Sequence, residues 1–279
     1  MKIIFKLNNK IFTLILICFL LMLNYNIYFA NENEVAVPIL MYHNIAEEYP
    51  EETVSANITP ELFENHIKTL LSFGYTPISM TDYYYYVTGN TSLPENPVVI
   101  TFDDGYLSNY EVAYPILKKY NVPAGIFIVT STVGHTPEMG TVSYPHFTWE
   151  QAREMQDSGL IEINSHTHSH KNIADLTTAE LQKEIRLSKY LIEKNLQKYC
   201  YTFAYPYGGY REDTEKLIRF AGYKMHIKVY DSFSNELYLA NTKSDGLTNI
   251  KRITVRGDMT ELDLIEAIKT AIINTNGGL

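Results

Sequence analysis

The chain has 279 residues, a formal charge of −9, 46% hydrophobic and 20% charged residues, and two cysteines. It is too apolar for a disordered chain, and its length suits one globular domain or at most two small ones, at roughly 100–200 residues per domain. Two cysteines exclude a disulfide scaffold or a cysteine-built zinc cluster, and the acidic balance argues against nucleic acid, because phosphate binding needs clustered Lys and Arg.

Residues 1–30 read as a signal peptide or an N-terminal membrane anchor. Lys2, Lys6 and Lys10 precede an uncharged run of 13 residues from Ile11 to Leu23. That is the length of a signal-peptide core and short of the roughly 20 apolar residues a spanning helix needs. Ile27, Tyr28 and Phe29 offer the extension that an anchor would use. Either way the expected location is outside a bacterial cell or on its surface, with membrane or cell-wall association through the N-terminus. Without the three lysines, 20 basic and 32 acidic residues remain, a charge of −12, and Cys200 has no partner for an intrachain disulfide.

Residues 31–279 read as one α/β domain, expected to be a monomer. Predicted strands are Val35–Tyr42, Pro97–Phe102, Ala124–Thr130, Leu160–Ser165, Tyr199–Ala204, Tyr223–Val229 and Ile250–Val255. Helices between them carry start and stop signals: Thr59-Pro60-Glu61 ending at Gly74, Thr148 to Gln151 ending at Gly159, Thr177 or Thr178 starting a longer one, and a last one through Leu262 and Ile268. Tyr83 to Tyr86 form an unbroken run that cannot all be core. A partly exposed helix face is the expectation, and stacking on sugar rings the alternative. Strand–helix alternation implies a mostly parallel sheet covered by helices, open or closed into a barrel, with its chemistry at the carboxyl ends of the strands.

Three segments lie at such ends. In Pro97–Gly105 (PVVITFDDG) the β-branched run meets two adjacent carboxylates, which can serve one site only if the chain bends, and Gly105 permits a bend. A capping pair is the alternative. In Ile161–His170 (IEINSHTHSH), alternation would put His166, His168 and His170 on one face of an extended chain, where two can share a metal. Spacing does not say which two. In Thr202–Tyr210 (TFAYPYGGY) a strand meets Pro206 and a glycine pair, a turn that suits an oxyanion hole or is an ordinary turn.

In order and spacing, TFDDG, HTHSH and YPYG resemble the three motifs of the NodB-like polysaccharide deacetylases, carbohydrate esterase family four. The resemblance implies a distorted (β/α) barrel of about seven parallel strands and metal-assisted removal of acetyl groups from a polysaccharide. By position it makes Asp103 the general base, Asp104, His166 and His170 the metal ligands, and Tyr207 the donor of a backbone N–H to the oxyanion. Two imidazoles and a carboxylate with an open position suit zinc, with cobalt or nickel as substitutes.

Two departures matter. No arginine shortly precedes Pro206, and no histidine follows His226. Together with VPILMYHNI at 37–45, both resemble the circularly permuted branch that includes exported poly-N-acetylglucosamine deacetylases. In that branch an N-terminal Tyr-His supplies the acid, which makes His43 the candidate and His226 its rival. Arg252 is the expected substitute for the missing arginine, with a solvent-facing strand charge as the alternative. The expected function is metal-dependent N-deacetylation of an extracellular N-acetylglucosamine polysaccharide. Peptidoglycan is the alternative substrate, and a carbohydrate-binding protein with impaired catalysis the alternative class.

Overall fold

The computed structural model describes residues 34–139, 142–228 and 238–277. The chain divides between Val35 and Ala36, and the expected export segment lies outside the described residues. No helix among the described residues is long and apolar enough to cross a membrane.

Eight of the described strands form one sheet, all parallel: β1 (Ile39–Tyr42), β2 (Thr76–Ile78), β3 (Pro97–Asp104), β4 (Ala124–Ile128), β5 (Ile161–Ser165), β6 (Thr202–Ala204), β7 (Met225–Ile227) and β8 (Ile253–Thr254). Their order is β7-β6-β5-β4-β3-β1-β8, with β2 paired to the start of β3. A parallel bridge between Ile227 and Ile250 brings β7 to the segment that leads into β8, so the two ends of the row meet and the sheet curls into a distorted barrel. The expected (β/α) barrel is therefore present, with one strand more than predicted. Thr76–Ile78 escapes sequence reading because it is three residues long and contains Pro77, which strand patterns disfavour.

Alternation divides each strand between two environments. Val98, Ile100 and Phe102 join the apolar layer beneath the helices, with Phe63, Ile67 and Leu70 of α1 (Pro60–Ser72). Val99, Thr101 and Asp103 are left to the inner face. The register then levels the inner residues, pairing Asp103 with Phe127 and Phe127 with Asn164. Apart from β3, which runs two residues further to Asp104, the strands are shorter than predicted, several losing their flanks to connecting loops, because a tightly curled sheet holds regular pairing only near its waist.

The remaining α-helices among the described residues are α2 (Met80–Val87), α3 (Tyr114–Tyr120), α4 (Trp149–Asp157), α5 (Thr178–Leu196), α6 (Thr214–Phe220) and α7 (Glu261–Thr275). Thr148 with Gln151 and Thr177 with Glu180 form reciprocal caps, which satisfy the orphan amides of the first turn. In α2, Tyr83 and Tyr86 are buried while Tyr85 is exposed, so the tyrosine run divides between core and surface.

Candidate active site

The site forms where β1, β3, β5 and β6 end, with Arg252 reaching up from the residue before β8. Thr101 and Asp103 are successive inner residues of β3. Thr101 Oγ1 donates to the Leu40 carbonyl (2.7 Å) and accepts from Arg252 Nη1 (3.3 Å). Arg252 then grips Asp103 with both terminal nitrogens, Nη1 to Oδ1 and Nη2 to Oδ2, each at 2.6 Å. Both residues are buried, and the guanidinium lies 5.5 Å from the centre of the Phe127 ring. The alternative of a solvent-facing Arg252 is thus excluded. Such two-pronged pairs are among the strongest polar contacts in proteins. Burial alone would raise the Asp103 carboxyl, but Arg252, with smaller contributions from His166 and His43, holds it below the usual carboxylate range.

The bend expected near Gly105 begins one residue earlier. Asp104 has φ 73° and Gly105 φ 84°, and a Cβ at Gly105 would sit 3.0 Å from Ile128 Cγ2, so a glycine is required there. The left-handed turn rotates Asp104 back toward its neighbour. His166 Nε2 lies 3.7 Å from Asp103 Oδ2 and 3.7 Å from Asp104 Oδ1. Burial raises the Asp104 carboxyl too, and His170, His43 and His166 more than offset it.

The three histidines do not share a face of an extended chain. β5 stops at Ser165, and left-handed residues at Thr167 (φ 69°) and His170 (φ 55°) fold the segment into a turn. That turn brings His166 Nε2 and His170 Nε2 to 3.2 Å and sends His168 elsewhere, its Nδ1 to Thr130 Oγ1 at 3.0 Å. Glu184 of α5 holds the turn: its carboxylate accepts from His168 N (3.0 Å), Ser169 N (2.7 Å) and Ser169 Oγ (2.6 Å). Four of the seven non-glycine residues with positive φ among the described residues (Asp104, Thr167, His170 and Tyr207) lie at this site, where strain of this kind concentrates.

His166 Nδ1 lies 3.0 Å from the Ala204 carbonyl, which only accepts, so Nδ1 carries the proton and Nε2 presents a lone pair. Burial pushes this imidazole down to about 4 against the pull of Asp103, so it is neutral at pH 7. His170 Nε2 is 3.2 Å from Asp104 Oδ1, and ligating atoms of Asp104, His166 and His170 all lie within 4.8 Å of one another. Asp104 Oδ1 is buried and receives no hydrogen bond among the described residues. A buried bare oxygen beside a nitrogen lone pair is costly without a shared cation, so the donor set fits a divalent metal.

His43 follows β1, its carbonyl accepting from Asn109 Nδ2 at 2.8 Å. It stands close enough to both aspartates for its positive form to lower each of them, and its buried Nδ1 has no hydrogen-bond partner among the described residues. Tyr207 sits in the turn after β6 at φ 56°, largely exposed, with its ring centre 4.7 Å from that of His170. His226 lies elsewhere. As the neighbour of Phe203 in the sheet it faces the helix layer near Glu215 and Arg219, and burial pushes it down to about 4.

Sequence reading missed Thr101, Glu184, Tyr106 and His146. Tyr106 packs against Asp104, and burial together with that charge raises its phenol. His146 is buried with its ring centre 5.0 Å from that of Tyr106, and burial lowers it. Both reach the site through an antiparallel bridge between residues 106 and 146, a pairing that carries no local sequence signal.

The polysaccharide deacetylase family matches residues 90–226. YxkH of Bacillus subtilis (strain 168), assigned as a polysaccharide deacetylase, is 33% identical over 228 residues, which span 82% of this chain and 74% of YxkH. The poly-β-1,6-N-acetyl-D-glucosamine N-deacetylase of Staphylococcus aureus (strain MRSA252) is 32% identical over 195 residues, 66% of each chain. Among solved structures, the Streptococcus pyogenes deacetylase PplD, in complex with acetate, superposes with a TM-score of 0.72 at 28% identity, covering 85% of this chain and 99% of PplD. IcaB from Ammonifex degensii shares the fold, with a TM-score of 0.70 at 24% identity over 84% of this chain and 97% of its own. A match of this extent to YxkH, together with the family's match over residues 90–226, means that the chain belongs to the polysaccharide deacetylase family of hydrolases.

Proposed function

We propose that the protein is an exported, metal-dependent N-deacetylase acting on an extracellular N-acetylglucosamine polysaccharide. The observation that carries this reading is the meeting of an arginine-clamped carboxylate, Asp103, with an Asp-His-His donor set around one point. The N-terminal Lys-rich and apolar segment supports export, and the Staphylococcus aureus relative supports the polymer class.

An ion held by Asp104, His166 and His170, by its donor set zinc with cobalt or nickel as substitutes, would supply Lewis acidity toward the acetamide carbonyl and make a nearby water more acidic. Asp103 takes the proton from the attacking water. Arg252 keeps that carboxylate ionised and aimed, and the lowered pKa makes it a weak base that depends on orientation. The Tyr207 N–H donates to the oxyanion, and an imidazolium at His43 protonates the departing amine. The bidentate pair also removes one reason for reading the chain as a binder with impaired catalysis, since the arginine missing before Pro206 has a counterpart in Arg252.

The test is acetate release from β-1,6- and β-1,4-linked N-acetylglucosamine oligomers in parallel. Release should stop on chelation and return with added zinc, cobalt or nickel; full activity in metal-stripped protein would overturn the reading. His43→Ala should impair these amides far more than an aryl acetate, whose phenol leaves without a proton, by about 10²–10⁴-fold if it is the acid. Equal losses on both substrates would remove His43 from that role.

A further inference from the structure

The far mouth of the barrel holds a second cavity, of about 520 Å³, between the amino-terminal ends of β5, β6 and β7 and helix α2. Glu162 and Asn164 are alternate residues on the inner face of β5, and His166 follows directly where that strand ends. The cavity therefore lies under the metal-ligand set, its lining residues Asn164 and Glu162 about 7 and 13 Å below His166 at 3.3 Å per strand residue, and takes no part in the chemistry above.

Two tyrosine pairs wall it. Tyr84 and Tyr85 come from α2, with ring centres 5.6 Å apart, and Tyr199 and Tyr201 precede β6, stacked at 5.7 Å. Tyr199 is 73% exposed, Tyr85 46% and Tyr201 44%, so apolar ring surface faces water without a core to cover it. Between the pairs stand polar groups that the fold fixes in place. Glu162 Oε1 accepts from Thr81 N at the start of α2 (3.2 Å), and the buried Asn164 donates to the Glu162 carbonyl (3.2 Å). Lys198 and Lys224 also line the cavity.

We infer that this cavity is a second saccharide-binding site, which holds N-acetylated stretches of the polysaccharide away from the catalytic mouth. A pyranose offers an apolar face for a tyrosine ring and a rim of hydroxyls for carboxylate, amide and ammonium groups, and this lining supplies both. Two lysines against one glutamate leave the lining net positive. That disfavours the ammonium of a deacetylated unit and favours the uncharged acetylated one. A chain so equipped stays on unprocessed polymer and loosens where the acetyl groups are gone. The polymer's identity rests on the function proposed above, but binding is read without turnover, so a failure here leaves the catalytic assignment standing.

The experiment is native electrophoresis of the metal-loaded full chain carrying Asp103→Asn, to prevent turnover, through gels containing a soluble N-acetylglucosamine polymer or its deacetylated form. Adding Tyr85→Ala and Tyr199→Ala should weaken retention by the acetylated polymer about tenfold. Tyr199→Phe, which keeps the ring, should retain it, and an unchanged unfolding midpoint would separate lost stacking from lost fold. Equal retention with and without the two rings would overturn the site. A ring-dependent retention confined to the deacetylated polymer would overturn the charge argument.

Discussion

The two halves of the active site are built by opposite means. Asp103, Thr101 and Arg252 stand on or beside regular strands, and sheet register sets their spacing. Asp104, the last residue of β3, and His166, His170 and Tyr207 beyond the strands depend on backbone that departs from regular sheet, three of them in left-handed conformations, with Glu184 pinning the histidine turn from a neighbouring helix. The side proposed to carry the base inherits the stiffness of the sheet. The ligand side is held by a few specific hydrogen bonds, and its geometry is only as firm as those.

The comparison breaks most sharply at the adjacent carboxylates. Asp103→Asn should keep the metal and lose turnover, by about 10²–10⁴-fold if proton abstraction alone is removed. Asp104→Asn should lose metal occupancy as well. Metal analysis beside acetate release decides it, and an equal fall in metal content for both would erase the division.

Next is the buried pair. Arg252→Met leaves Asp103 as an uncompensated buried charge and should cost about 3–5 kcal/mol. The sign with pH follows from the lowered folded-state pKa of Asp103. In the parent chain the pair's contribution is complete above the unfolded carboxyl pKa of about 3.9 and fades as pH falls below it. In the variant, burial raises that carboxyl, and protonation relieves the penalty. The stability gap should therefore be widest near neutrality and narrow on acidification, as unfolding measured across pH would show.

A smaller effect tests the turn. Glu184→Gln leaves one acceptor oxygen for three donors, and should lower metal affinity about 10–100-fold, as other supporting contacts around metal ligands do. Unchanged affinity would mean that the turn holds itself. Smallest of all is Thr167→Gly. Relief of the left-handed residue, about 1 kcal/mol, is opposed by loss of the Thr167 Oγ1 contact to His170 N (3.0 Å) and by glycine's entropy. The unfolding midpoint should barely move while metal affinity drops; a clear gain in both would show that the strain serves no purpose.

This contrast also explains what could be read in advance. The barrel was legible because the β-branched run in Pro97–Phe102 and the caps at Thr59, Thr148 and Thr177 are local signals. The histidine cluster was visible as a cluster but not as a turn, since nothing in HTHSH announces positive φ at Thr167. Glu184 looks like any polar helix residue, and its use depends on how α5 packs over β5. Arg252 could be named as a substitute for the missing arginine only through the family resemblance, since nothing local tells it from a strand charge; the pairing of β8 with β1 brings it beneath Asp103.

That closure has a consequence for assembly. Asp103 and Arg252 are 149 residues apart in sequence, and Arg252 arrives with β8, the last strand to enter the sheet. On a chain made from its N-terminus, the earlier strands can pair and the His166–His170 turn can form while Asp103 still lacks its guanidinium. Loop closure over so long a stretch is slow. With Asp103 as the proposed base, hydrolytic competence becomes a late event in maturation, reached only when the tail of the polypeptide has docked, and a nascent or truncated chain that already folds most of its barrel should remain inert.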